Sequence, residues 1–91
     1  MPAERRKILY SGRVQGVGFR WTASLIARRR GVDGFVRNLA DGTVELVVQG
    51  ERPVVTAFLS EVAAAMHAYI EKSDTDEISV QDDLAGFQIR H

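Results

Sequence analysis

The feature that most constrains this chain is the change of hydrophobic rhythm across one short glycine loop. In residues 6–14, Ile8, Tyr10, Gly12 and Val14 alternate with Lys7, Leu9, Ser11 and Arg13, the period of two that marks a strand. Gln15, Gly16, Val17 and Gly18 break that alternation with two glycines in three residues. From about residue 21 to residue 30 the period is helical, with Trp21, Leu25, Ala23, Ile26 and Ala27 expected on one side. Arg28, Arg29 and Arg30 fall in the last turn, where cations suit the helix dipole, and Gly31 ends the helix. A strand feeding a helix through so tight a loop must lay that helix back across the sheet.

The remaining rhythms complete the pattern. Residues 32–38 and 43–49 read as two strands, and Leu39, Ala40, Asp41 and Gly42 between them carry an Asp-Gly turn signal, so the pair is predicted to be an antiparallel hairpin. Pro53 stands near a helix start, and Val54, Phe58, Val62 and Met66 recur every four residues, so a second helix should end near residues 66–68. A further strand is expected over 69–73 or 77–80, and a short last one over 86–90. The order β-α-β-β-α-β, with one extra strand possible, predicts a ferredoxin-like α+β sandwich. Its four- to five-stranded, mainly antiparallel sheet would carry both helices on one face. Residues 1–91 read as a single domain without linker or repeat.

Composition excludes several functions. There is no cysteine, which removes disulfide scaffolds, thiolate metal sites and a cysteine nucleophile, and which fits a cytoplasmic protein. No secretory leader is visible, because the apolar residues after Arg5, Arg6 and Lys7 give way at once to Ser11, Gly12 and Arg13. No stretch approaches the roughly 20 apolar residues of a membrane span, so no membrane association is expected. Twelve basic and twelve acidic side chains cancel, which argues against nucleic acid as partner. Yet residues 1–37 hold nine Lys and Arg against two acids, whereas residues 38–91 hold three against ten. Such asymmetry fits either solvated faces or a local surface that attracts a small anion.

Chemistry can sit at the strand–loop–helix junction. Amides at a helix start lack partners within the helix and together carry about half a positive charge. Glycines turn successive amides toward one centre, and Arg20 adds a planar guanidinium able to hold two phosphate oxygens. The spacing is not that of a Walker A loop, and a glycine pair alone also suits an ordinary tight loop. Asn38, before the Asp-Gly turn, could start the turn or hold a water without carrying charge; composition leaves both roles open. His67 and His91 lack metal-ligand spacing and read as surface or helix-end residues, Trp21 reads as packing on the first helix with a place beside the bound substrate as the alternative, and Asp82 and Asp83 read as a solvated loop.

Two segments, Gly12-Arg13-Val14-Gln15-Gly16-Val17-Gly18-Phe19-Arg20 and Gly34-Phe35-Val36-Arg37-Asn38-Leu39-Ala40-Asp41-Gly42-Thr43-Val44-Glu45, resemble the signature blocks of the acylphosphatase family in sequence, order and spacing. The resemblance covers residues 8–50 closely and 51–66 in pattern, and it implies the same ferredoxin-like fold. It implies metal-free hydrolysis of acyl phosphates to carboxylate and inorganic phosphate; no cofactor is expected, and nothing in the sequence demands more than a monomer. It also implies that Gln15, Gly16, Val17, Gly18, Phe19 and Arg20 bind the phosphoryl group while Asn38 positions the attacking water. Phe35 stands where the family usually carries tryptophan, and residues 66–70 lack its common Gly-Pro turn. An RNA-recognition domain shares the element order, but its aromatic motif belongs after the first helix, whereas Gly16-Val17-Gly18-Phe19 precedes it. A regulatory domain of a larger protein is the third reading; a chain that begins with Met and stops after the last strand favours a stand-alone enzyme.

Overall fold

The alternating apolar residues of the first segment are drawn under two helices. In the computed structural model, which describes residues 3–91, strand β1 (Ala3–Gly12) buries Ile8 and Tyr10, and the loop after it buries Val14 completely. Helix α1 (Phe19–Arg30) packs Phe19, Ala23, Ile26 and Ala27 inward, one helical face at intervals of three and four. Helix α2 (Arg52–Ala65), with Pro53 in its first turn, contributes Val55, Phe58 and Val62 to the same core, and Met66 closes its end. The Phe58 and Phe87 rings lie tilted with centroids 5.8 Å apart, a favoured aromatic geometry.

Strands β2 (Asp33–Asn38) and β3 (Val44–Glu51) form the predicted antiparallel hairpin. Its turn has a local cause. Asp41 accepts hydrogen bonds from the Thr43 amide at 3.0 Å and the Thr43 hydroxyl at 2.6 Å, and Leu39 donates to the Thr43 carbonyl at 2.9 Å. These two donors hold the Asp41 carboxyl below the ordinary aspartate range.

Two expectations along the chain are corrected. The alternatives 69–73 and 77–80 are parts of one strand, β4 (Ile70–Ile78), which pairs antiparallel with β1 along nearly its whole length. Instead of a Gly-Pro turn, the amides of Tyr69 and Ile70 close back on the Met66 carbonyl at 2.9 and 3.2 Å. Trp21 and Leu25 do not join Ala23, Ile26 and Ala27. They are 59% and 46% exposed, since at 100° per residue they fall outside the arc occupied by Phe19, Ala23 and Ile26.

The sheet has five strands in the order β4-β1-β3-β2-β5, antiparallel except that β5 (Phe87–Arg90) runs parallel to β2. The extra strand foreseen as possible is therefore real. Because β4 and β5 occupy opposite edges, residues 79–86 must cross the sheet. They do so along one register row, in which Arg5 is level with Ile78 on one side and with Gln49 on the other, and Gln49 with Asp33. The buried Arg5 bonds Asp83 at 2.6 Å, Gln49 exchanges two hydrogen bonds with the backbone of Gln81, and Asp33 accepts from the Gly86 amide at 2.8 Å. Each strand beneath this strap supplies one polar anchor.

Candidate active site

Several elements of the fold converge where β1 hands over to α1. Gly16 and Gly18 have φ of +75° and +79°, a region that costs an L-residue about 1–2 kcal/mol. A Cβ at either position would meet no atom within 4 Å, so the requirement for glycine is one of backbone conformation rather than space. Gly18 caps α1 without a side-chain hydrogen bond, and no acidic residue occupies the first turn. The first-turn amides are thus available to an anion from outside.

Gln15 ties this loop to the hairpin. Its Nε2 donates to the carbonyl oxygens of Leu39 at 2.8 Å and Thr43 at 2.9 Å, so both N–H bonds of the carboxamide are used on the turn that follows Asn38. Of its N–H donors, only the backbone amide is left for an anionic ligand. Gln15→Ala should lower stability by about 0.5–1.5 kcal/mol in chemical denaturation. Both carbonyls keep backbone partners, Gly42 on Leu39 and Leu39 on Thr43, so no acceptor is stranded. Turnover should fall several-fold, because glycine loop and hairpin turn lose the link that sets their spacing.

Arg20 lies in the first turn of α1, and its Nη1 donates to the Arg90 carbonyl at 3.5 Å and lies 3.1 Å from Nδ1 of His91. The end of β5 therefore orients the guanidinium. The Arg90 side chain is itself laid across the Phe35 ring, 4.0 Å from its centroid, on the other side of the sheet. Phe35 thus serves as an aromatic platform for the Arg90 side chain.

A cavity of about 310 Å³ opens here, at the small end of the range for ligand pockets. Among the residues singled out from the sequence, Gly16, Gly18, Phe19, Arg20 and Asn38 line it; Gln15 and Val17 do not, and Val17 packs against the core. Val14, Trp21, Ile89 and His91 line it as well. Of these, Trp21 takes the alternative place beside the cavity rather than packing in the core, and His91, expected at the surface or a helix end, also lines it. Trp21 could have been recognised from its phase on α1. Ile89 and His91 arrive through the β2–β5 pairing, which no local pattern announces. Among the described residues no Asp or Glu side chain borders the cavity, whereas an arginine guanidinium and an imidazole do. Among the described residues no group of three or more His, Cys, Asp or Glu is placed to hold a metal ion, and no helix is long and apolar enough to cross a membrane.

The architecture and this junction define a ferredoxin-like α/β sandwich with an anion-receptive loop at its first helix. The acylphosphatase family model matches residues 6–89. The chain is 44% identical over 87 residues to an acylphosphatase of Anaeromyxobacter dehalogenans, with 94% of each chain covered. It is 42% identical over 90 residues to one of Roseiflexus, covering 98% of this chain and 97% of that one. The crystal structure of acylphosphatase from Bacillus subtilis superposes with a TM-score of 0.86 at 27% identity, over 97% of this chain and 99% of the other. The chain belongs to the acylphosphatase family, hydrolases that cleave the acid anhydride of acyl phosphates.

Proposed function

We propose that this chain hydrolyses acyl phosphates by direct attack of water, with Arg20 and the loop amides holding the phosphoryl group and Asn38 orienting the water. The observation that carries this reading is the cavity wall shared by Gly16, Gly18, Arg20 and Asn38, with no Asp or Glu side chain among the described residues that line it. The water oxygen bonds to phosphorus, and the bond from phosphorus to the acyl oxygen breaks. Its electron pair leaves with the carboxylate, and the water's proton passes to a phosphoryl oxygen of the substrate. A carboxylate is a good leaving group, so positioning and charge stabilisation can replace a strong protein base. Charge that builds on the equatorial oxygens meets the guanidinium and the α1 amides. Asn38, which can donate and accept but cannot take the proton, suits a role of alignment.

No metal or other cofactor takes part in this scheme, and residues 1–91 act as one domain. We further read the protein as a cytoplasmic monomer. The lack of cysteine suits a reducing compartment. Glu71, Asp74, Asp76 and Glu77 on the exposed edge strand β4 discourage strand pairing between copies. The test is hydrolysis of acetyl phosphate and benzoyl phosphate by purified protein in excess chelator. Chelator-resistant release of phosphate is the expected result. Folded protein that leaves both substrates intact, or whose activity vanishes with chelation and returns with added metal, would overturn the scheme.

A further inference from the structure

The cavity is lined by two kinds of chemistry, and the proposed reaction uses only one of them. Gly16, Gly18, Arg20 and Asn38 answer to the phosphoryl group and the water; Val14, Phe19, Trp21 and Ile89 supply apolar surface. Val14 and Phe19 are core residues, 0% and 2% exposed, so their presence follows from packing. Ile89 is half-buried on the face of β5 that carries Phe87 toward the helices. Trp21 is different. It follows Arg20 directly, borders the cavity and leaves 59% of its surface in water, although burial of so large a ring would contribute more to stability than that of any other side chain on α1. Its position is explained neither by the core nor by the handling of phosphate.

We infer that Trp21, with Ile89, is a specificity-determining residue that receives the acyl group, and that the substrates favoured are acyl phosphates with a flat or bulky apolar acyl portion rather than small ones such as acetyl or carbamoyl phosphate. This inference rests on the proposed reading of the cavity as the site of hydrolysis. The phosphoryl group placed at the loop and Arg20 leaves the acyl carbon skeleton to lie against the remaining wall. A ring there gains offset or edge contact with the indole, whereas a methyl group covers little of it.

The experiment compares benzoyl phosphate with acetyl phosphate for wild type, Trp21→Ala and Trp21→Phe. Because Trp21 is exposed, both variants should keep the wild-type melting temperature within a few degrees. For benzoyl phosphate, KM should rise about 3- to 10-fold in Trp21→Ala with kcat nearly unchanged, and Trp21→Phe should restore most of the loss. Acetyl phosphate kinetics should change less than about 2-fold, since little of the indole is covered. Trp21 is the sole tryptophan of the sequence, so intrinsic fluorescence gives a readout independent of turnover. Phenacylphosphonate, a non-hydrolysable analogue of benzoyl phosphate, should shift the emission, and acetonylphosphonate should not. Equal effects of Trp21→Ala on the two substrates, or an emission unmoved by bound phenacylphosphonate, would overturn the inference while leaving acyl-phosphate hydrolysis intact. Failure of the wild type to hydrolyse either substrate would instead remove the reading on which it rests.

Discussion

Arg20→Ala should lower kcat/KM for an acyl phosphate about 10³-fold or more, with losses in both KM and kcat. Among the described residues Arg20 is the only Lys or Arg lining the cavity, and its planar fork can meet two phosphoryl oxygens at once in both ground and transition states. Loss of a single donor aimed at developing negative charge typically costs about 10²–10³ in turnover. Loss of a cation that also binds the ground state adds a penalty in KM. Arg20→Lys keeps the charge but not the fork and should recover only a small part of the activity. Its hydrogen bonds to Arg90 and His91 are solvent-exposed, so folding should survive in both variants. A folded Arg20→Ala protein within about tenfold of wild type in kcat/KM would show that the phosphoryl group is held elsewhere.

The second large effect should fall almost entirely on turnover. Asn38 ends β2 opposite Val44, and its backbone stays paired whatever its side chain. Asn38→Ala removes only the carboxamide, which in the proposed scheme aligns the water and adds little to holding the ground state. We expect kcat to drop about 10²-fold with KM nearly unchanged, measured by steady-state hydrolysis of benzoyl phosphate. The contrast with Arg20→Ala is the informative part, because the two side chains border the same cavity. Parallel losses in KM for both variants would place Asn38 on the phosphate instead of the water.

How much of this was open to the sequence depended on whether the cause of each feature is local. The β2–β3 hairpin follows from Asp41, Gly42 and Thr43, where the Asp41 carboxylate accepts from both the Thr43 amide and hydroxyl within the turn. Helix α2 follows from an apolar residue every four positions, because its inner face meets a core that tolerates nothing polar there. β4 could not be delimited. Almost every residue in Glu71–Ile78 is exposed, so no alternation records a buried face, and what holds the strand is the backbone of β1. The glycine loop, Arg20 and Asn38 lie in two contiguous blocks that are singled out by resemblance to a family's signature segments, because a glycine pair and an Asn before a turn have local readings of their own. The linking role of Gln15 was missed because it depends on a carboxamide reaching from the loop to a turn more than twenty residues away. Ile89 and His91 come to the cavity only through a parallel pairing across the strap, a tertiary event with no counterpart in local pattern.

The placement of β1 also governs when the protein can begin to work. Though first in the chain, it is an interior strand, and Tyr10 stands level with Val44 on one side and Ser73 on the other. Both neighbours are distant in sequence, so the entropy of closing long loops must be met before either pairing returns free energy. Folding should accordingly be slower than that of a helical bundle of similar length. The glycine loop leaves the end of this strand, and Arg20 is steadied by the end of β5, the other late arrival. No partly folded fragment can hold the loop, Asn38 and the far wall together. Activity therefore appears in step with the completed sheet, and during synthesis and refolding alike the lag before the first turnover is the lag of topology.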